Sequence, residues 1–213
     1  MASLAQKSRP GRPTREQSEQ RHQELLDRAM EMFLERGFEH ATIRDIAAEV
    51  GMTRRTVYAR YPDKRALFKA IVEHAVQQVM LPVEALHALD GKDLEETLTQ
   101  VARLRIANVM TPVGLRLQRI LHTESYQFPE VVNSAYSRIT RPAIEFIADL
   151  LRRNNAAGVT DVEEPERAAS ALMNMVVGVP VRMVLLGNFL GPEEIEDRIR
   201  FSVRLFMRGV CRR

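Results

Sequence analysis

Apolar residues recur at helical spacing along almost the whole chain, and no stretch alternates in the manner of a β-strand. In the first such segment Leu25, Ala29 and Phe33 are spaced four residues apart, which places them on one face of an α-helix. Prolines stand at or near many segment starts, where the first helical turn tolerates them. The chain is therefore predicted to be all-α, with helices over about 16–37, 42–51, 53–60, 62–82, 93–110, 112–126, 129–153, 165–187 and 192–210.

The composition is that of a protein with a substantial core and no disulfide framework. Hydrophobic residues make up 45% of the 213 positions, which is enough to bury an interior. The single cysteine, Cys211, excludes an intrachain disulfide, so we expect a reducing, cytoplasmic compartment. Residues 1–15 lack the apolar centre of a signal peptide. No apolar run approaches the roughly 20 residues that span a bilayer, so no membrane partner is expected.

The sequence contains no recognisable catalytic or metal-binding motif. It has no G-x-S-x-G, no H-E-x-x-H and no phosphate-binding P-loop. His122 and Glu124 are two residues apart, which puts them on different faces of a helix and makes them poor co-ligands. The chain is therefore predicted to be no enzyme and to need no metal or other cofactor.

Positive charge is concentrated at the N-terminal end. Residues 1–69 contain 14 Lys and Arg against 10 Asp and Glu, or +4, whereas the other 144 residues contain 17 against 18, or −1. Residues 1–15 carry four basic side chains and no acid, and their prolines and lack of periodicity predict a disordered arm. Two interpretations stay open for this arm: a solvated tail, or a segment whose "SRPGRPTR" enters an A·T-rich minor groove.

Residues 42–61 have the spacing of a helix-turn-helix. Two helices joined by a tight turn need a small residue where they cross, a residue that accepts a positive φ in the turn, and an apolar residue that locks the second helix. Ala47, Gly51 and Val57 occupy these places. Capping threonines precede both helices, Thr42 before the first and Thr53 before the second.

The second of these helices is short and cationic. If Val57 points inward, then Arg54, Arg55 and Tyr58 lie together on the outward face, where arginine reads guanine and tyrosine contacts a thymine methyl or a phosphate. A short solvated helix with ordinary surface charge is the simpler alternative. Further residues are predicted to contact the DNA backbone or the edge of the groove: Arg44, Thr53, Thr56, Arg60, Tyr61 and Lys64.

The motifs over about residues 19–79 resemble those of the TetR/AcrR family of transcriptional regulators. The chain departs from the usual family pattern at Arg60, where His or Tyr is frequent, and at Tyr61, where Phe is usual. Arg54 and Arg55 occupy positions that vary within the family. The resemblance is carried by Ala29–Phe33, Gly37–Phe38, Ala41–Ala47, Gly51–Thr53, Thr56–Tyr58, Tyr61 and Lys64–Leu67.

The resemblance implies a DNA-binding domain over residues 16–79 and a larger ligand-binding and dimerisation domain over 83–213. Members of the family are homodimers that place the third helix of each protomer in the major groove of a palindromic operator, and a small ligand lowers operator affinity through the fourth helix. Carried onto this sequence, the backbone-clamping roles fall on Thr42, Thr56, Arg60 and Lys64. Contacts to bases or groove edges fall on Arg44, Arg54, Arg55 and Tyr58.

The C-terminal half contains two late helices more apolar than a monomer requires. Residues 165–187 form a nearly continuous apolar face, and Phe201, Leu205 and Phe206 recur in the last segment, so pairing with a second copy is expected; an ordinary core pair is the alternative. Methionines suit adaptable apolar ligands, which favours a small apolar effector; a Met-rich helix that simply packs the core is the alternative. The predicted lining residues are Met80, Leu104, Leu121, Tyr126, Phe128, Met173 and Met175.

Two alternatives to a ligand-released repressor remain open on the sequence. The first is a DNA-binding regulator of the same fold without a small-molecule effector, such as an activator or a protein-controlled factor. The second is an enzyme or carrier that keeps a vestigial helix-turn-helix. A collapsed C-terminal core would favour the first, and failure to retain double-stranded DNA at low salt would favour the second.

Overall fold

The computed structural model describes residues 14–91, 93–188 and 190–212, and all regular secondary structure among them is helical. The chain divides into two compact units, residues 1–71 and 72–213. The predicted basic arm lies outside the described residues up to position 13. The helices are α1 Arg15–His40, α2 Ile43–Glu49, α3 Arg54–Tyr58, α4 Lys64–Val79, α5 Val83–His87, α6 Leu94–Val109, α7 Pro112–Thr123, α8 Pro129–Ala156, α9 Pro165–Leu185 and α10 Pro192–Val210.

Helix α1 begins one residue earlier than predicted, at Arg15, because Thr14 caps it. The Thr14 hydroxyl accepts the Gln17 N–H at 3.2 Å, and the Gln17 side chain accepts the Thr14 N–H at 3.1 Å. This reciprocal capping box satisfies two amides that a helix start would otherwise leave unpaired. Local hydrogen bonds between Thr14 and Gln17 therefore fix the start of α1.

Three phenylalanines form the centre of the N-terminal unit. Gly37 has φ 75° and interrupts α1 as predicted, so that Phe38 folds back and its ring stacks on Phe33 at 5.6 Å between centroids. Phe68 of α4 meets both rings edge-on at 5.7 and 5.6 Å. All three side chains are buried. Such offset and edge-to-face pairs add to the free energy of burial, so this cluster fixes the end of α1 against the start of α4.

The core of the C-terminal unit is built from α6, α8, α9 and α10. One buried cluster combines apolar residues of these helices with Leu86 of α5, a short helix that the sequence pattern did not predict. Helices α6 and α7 meet closely at Gly114, where a Cβ atom would lie 2.5 Å from the Val109 carbonyl oxygen. Only glycine permits this approach, so α7 is held against the end of α6 by backbone contact.

Helix α9 is only partly buried although it is very apolar. Its length of 21 residues and mean hydropathy of 1.6 would suffice to cross a membrane on length and composition alone, which corrects the expectation that no segment reaches this limit. Only 33% of its most apolar window is buried in the single chain. On α10, Phe201 and Leu205 are 59% and 50% exposed, and with Met175 and Val179 they form the apolar part of a groove of about 540 Å³. Ser202 and the charged residues Glu194, Asp197 and Arg198 line the rest of it. The C-terminal unit thus presents an apolar face.

Candidate nucleic-acid interface

The turn between α2 and α3 has the predicted helix-turn-helix geometry. Gly51 has φ 63°, a left-handed backbone conformation that residues other than glycine rarely adopt. The Met52 amide donates to the Ala47 carbonyl at 2.8 Å. Val57 is buried and locks α3, while Thr53 caps its start by accepting the Thr56 amide at 3.2 Å. The helix is short, five residues, because Ala59 and Arg60 already lie in a turn.

The outward face of α3 carries the three predicted base-reading side chains. Arg54 and Arg55 are exposed, and Tyr58 is 44% exposed. Within the described chain neither arginine forms a hydrogen bond or an ion pair, so both guanidinium groups are available to an external partner. No acidic residue interrupts positions 51–61, so the face is wholly cationic or neutral.

A groove of about 250 Å³ lies beside this face, between the N-terminal half of α1 and the start of α3. Basic and hydroxyl side chains line it, among them Arg21, His22, Thr53, Thr56 and Arg60. The hydroxyls of Thr53 and Thr56 are 2.9 Å apart and share one hydrogen bond. Donors and positive charge gathered in one groove suit a phosphate oxygen. Arg21 was not predicted from the sequence, because nothing in the local pattern of α1 separates it from an ordinary surface arginine.

Thr42 and Arg44 are held by Asp45. The Thr42 hydroxyl accepts the Asp45 amide at 3.2 Å and caps α2 as predicted. The same hydroxyl lowers the pKa of the Asp45 carboxyl through a side-chain hydrogen bond, and a bond from Arg44 Nε at 3.3 Å adds to this effect. Arg44 nevertheless stays largely exposed. It can therefore exchange the carboxylate for a phosphate, whereas the Thr42 hydroxyl already has internal partners.

Tyr61 points into the N-terminal unit. Its hydroxyl lies 2.5 Å from Nε2 of His22, and the two rings stack with centroids 6.0 Å apart. Partial burial raises the pKa of the Tyr61 phenol. The residue was predicted to contact the DNA backbone, but the structure uses its hydroxyl to fix the segment after α3 to α1.

Lys64 was also predicted to contact the DNA backbone, and its ammonium group is already occupied. Its Nζ donates to the carbonyl oxygens of Phe38 at 2.6 Å and of Glu39 at 3.0 Å. It also lies 4.5 Å from the centroid of the Phe38 ring. These contacts satisfy carbonyls at the end of α1, where helices prefer a cation. Lys64 therefore joins the end of α1 to the start of α4.

The predicted ligand-lining residues do not form one cavity. Tyr126 is 100% exposed and Met80 is 43% exposed, while Phe128 and Met173 are buried in packed surroundings. Leu104 packs against the main core. Leu121 lines a groove of about 240 Å³ formed by α7, α8 and α9, and Met175 lines the exposed groove on α10 instead. Apolar character alone does not separate core residues from cavity residues, and the seven positions are spread over several places in the C-terminal unit.

Among the described residues no group of three or more His, Cys, Asp or Glu side chains is placed to hold a metal ion.

Residues 25–71 match the model for bacterial regulatory proteins of the tetR family, and residues 96–209 match the C-terminal domain of AefR-like transcriptional repressors. The second match alone covers more than half of the chain. This chain belongs to the TetR family, and it is a DNA-binding transcriptional regulator rather than an enzyme.

Proteins of similar sequence or structure match this chain over nearly its full length. The structure of a TetR-family transcriptional regulator from Mesorhizobium loti matches with a TM-score of 0.73 at 23% identity, over 94% of this chain and 100% of that one. The flavonoid-responsive regulator FrrA matches with a TM-score of 0.70 at 27% identity, over 92% and 99%. The nucleoid occlusion factor SlmA of Pasteurella multocida is 27% identical over 206 residues, which are 92% of this chain and 98% of that protein.

Proposed function

We propose that this protein is a homodimeric repressor that binds a palindromic operator through α3 and leaves it when a small, mostly apolar molecule binds the C-terminal unit. The observation that carries the DNA-binding part is the outward face of α3, where Arg54 and Arg55 are exposed and Tyr58 stands beside them. Arginine pairs with guanine O6 and N7 in the major groove, and a helix with free outer arginines suits that groove.

The contacts divide into two groups. We assign base reading to Arg54, Arg55 and Tyr58, with Arg44 at the groove edge. Backbone contact falls to Thr53, Thr56, Arg60 and Arg21, which line the basic groove. Thr42, Tyr61 and Lys64 support the interface from inside, because their polar groups have protein partners.

Selection of bound sequences from random duplexes with the purified full-length protein tests this assignment. We expect a palindromic site. Arg55→Ala should then lower affinity for the selected site by about 1–3 kcal/mol and relax the preference at one base position, because alanine cannot form the bidentate pair with guanine. Arg60→Ala is the matched control and should weaken selected and random DNA alike. Equal losses on both DNAs for both variants would contradict this division.

The dimer is supported by the apolar face of α9 and α10. Phe201 and Leu205 are at least half exposed in one protomer, which is costly unless a second copy covers them. Phe201→Glu should shift sedimentation from dimer to monomer, whereas Arg208→Glu, on the same helix at an exposed polar position, should not. A dimer that survives Phe201→Glu and Leu205→Glu together would rule out this face.

Release by a ligand is supported by the relative FrrA, whose name records that it responds to flavonoids. A second candidate is supported by SlmA, whose name describes nucleoid occlusion instead of ligand response. In that case the chain would be a DNA-binding regulator of the same fold without a small-molecule effector. Fluorescence anisotropy on the selected operator separates the two, because only an effector-controlled repressor is released by apolar compounds, flavonoids included.

A further inference from the structure

An arginine is buried inside the C-terminal unit with two of its three side-chain nitrogens unpaired. Arg105 of α6 is only 2% exposed, and its Nε and Nη1 atoms are buried without a hydrogen-bond partner. No ion pair involving it occurs among the described residues. Burial lowers the pKa of its guanidinium group, but not into a range where arginine loses its charge. The structure therefore buries a positive charge that it does not neutralise.

The surroundings of Arg105 on its own helix are apolar. Val101 and Val109, one turn away on either side, are buried, and so is Ala102. Transfer of a charged group from water to such surroundings is strongly unfavourable unless an opposite charge and hydrogen bonds compensate it. An interior arginine of this kind is therefore expected to serve a partner that is not part of the chain.

A second unpaired polar atom lies on the next turn of α6. The side-chain oxygen of Asn108 is buried and accepts no hydrogen bond. Residues three apart on a helix share a face, so the donors of Arg105 and the acceptor of Asn108 are neighbours. Together they could recognise an acid group and an adjacent hydroxyl or N–H group.

Tyr136 connects this polar pair to an apolar groove. Tyr136 interacts electrostatically with Arg105, so its phenol lies near the guanidinium group. Its ring also lines the groove of about 240 Å³ between α7, α8 and α9, together with Leu121, Ile139, Val181 and Leu185. Arg105 itself does not line this groove, but a mostly apolar groove and a buried cation near the same tyrosine together have the composition of a pocket for an amphipathic acid.

We propose that the effector of this protein is an apolar carboxylic acid whose carboxylate pairs with Arg105 while its body lies in the groove beside Tyr136. The proposal rests on the ligand-released repressor proposed above, and it specifies the chemical class of the ligand. Arg105 and Asn108 would give orientation and selectivity for the acid group, and the groove would supply the burial of the apolar body.

The test uses two acids and their primary amides, 2-naphthoate with 2-naphthamide and decanoate with decanamide. Calorimetric titration of the full-length protein should show that at least one acid binds about tenfold or more tightly than its amide, because the amide has no charged group to pair with the guanidinium. Arg105→Met should reduce this preference to less than twofold. Arg103→Met is the matched control, since Arg103 pairs with Glu196 near the surface, and it should keep the preference.

Stability without ligand gives an independent measurement. If the guanidinium lacks an internal partner, Arg105→Met should fold and melt at the same temperature as the parent or higher. An Arg105→Met protein that fails to fold would overturn the proposal, since it would show that the chain itself uses the charge. Equal binding of acid and amide in both pairs would also overturn it. Operator binding is measured separately, so loss of DNA binding with an intact acid preference would refute only the proposed repressor function.

Discussion

Removal of the Lys64 ammonium should destabilise the end of α1 and leave DNA contacts unchanged. Lys64→Met keeps the aliphatic stem and deletes the charge, so it removes two hydrogen bonds to carbonyls, at 2.6 and 3.0 Å, and the interaction with the Phe38 ring. The partly buried bond contributes about 1.5 kcal/mol, the exposed one less, and the cation–π interaction about 0.5 kcal/mol. The expected decrease in the local free energy of unfolding is about 2 kcal/mol.

Hydrogen–deuterium exchange of the full-length protein measures this decrease locally. Amides at the end of α1 should exchange about thirtyfold faster in Lys64→Met than in the parent, since each tenfold corresponds to about 1.4 kcal/mol. Lys69→Met, an exposed position on the same helix, should change exchange there by less than threefold.

The salt dependence of operator binding separates this role from phosphate binding. A variant that no longer binds one phosphate should lower the slope of log affinity against log salt by about 0.9. We expect that decrease for Arg60→Met and none for Lys64→Met. Unchanged exchange at α1 combined with a lowered slope for Lys64→Met would show that Lys64 acts on DNA and that the structural role is wrong.

Two further predictions concern the C-terminal unit. Gly114→Ala should cost about 1–3 kcal/mol in chemical denaturation, because the new Cβ would lie 2.5 Å from the Val109 carbonyl oxygen, whereas Gly209→Ala, with open space around it, should gain up to about 1 kcal/mol. A stable Gly114→Ala protein would show that α6 and α7 separate easily. Glu196 has its pKa lowered to about 2, first by the bond from Arg103 and then by that from Arg200. Because the folded pKa is below the ordinary 4.5, this stabilisation is present above that pH and is lost as pH falls toward 2. The stabilisation by these ion pairs amounts to roughly 1 kcal/mol after screening by solvent. Glu196→Gln should therefore make the melting temperature less dependent on pH between about 2 and 4.5.

Helix positions and the cationic outward face of α3 were predictable because their signals are local. The spacing from Ala47 to Gly51 to Val57, the capping threonines and the all-α class follow from periodicity and turn chemistry within a few residues. Helix α5 was missed because five residues between prolines and turns leave too little pattern to detect.

The partners of polar side chains were not predictable in the same way. Lys64 and Tyr61 looked like surface residues, but each contacts α1 across about 25 to 39 positions of sequence. Arg105 did carry a signal, since it stands four residues after Val101 and four before Val109 within the apolar stripe of α6. The proposed acid site therefore depends on a charged residue in an apolar stripe, whereas methionines and aromatics are used equally by core packing.

In the proposed dimer, the partly exposed apolar helix α9 ties the stability of the protein to its own abundance. A surface covered only by a second copy is protected in proportion to the concentration of that copy, so folding and association form one linked equilibrium. Each tenfold dilution of an obligate dimer removes about 1.4 kcal/mol of apparent stability. Newly synthesised chains present at low concentration would then be the most susceptible to proteolysis. Folded regulator would accumulate only above a threshold concentration of the protein.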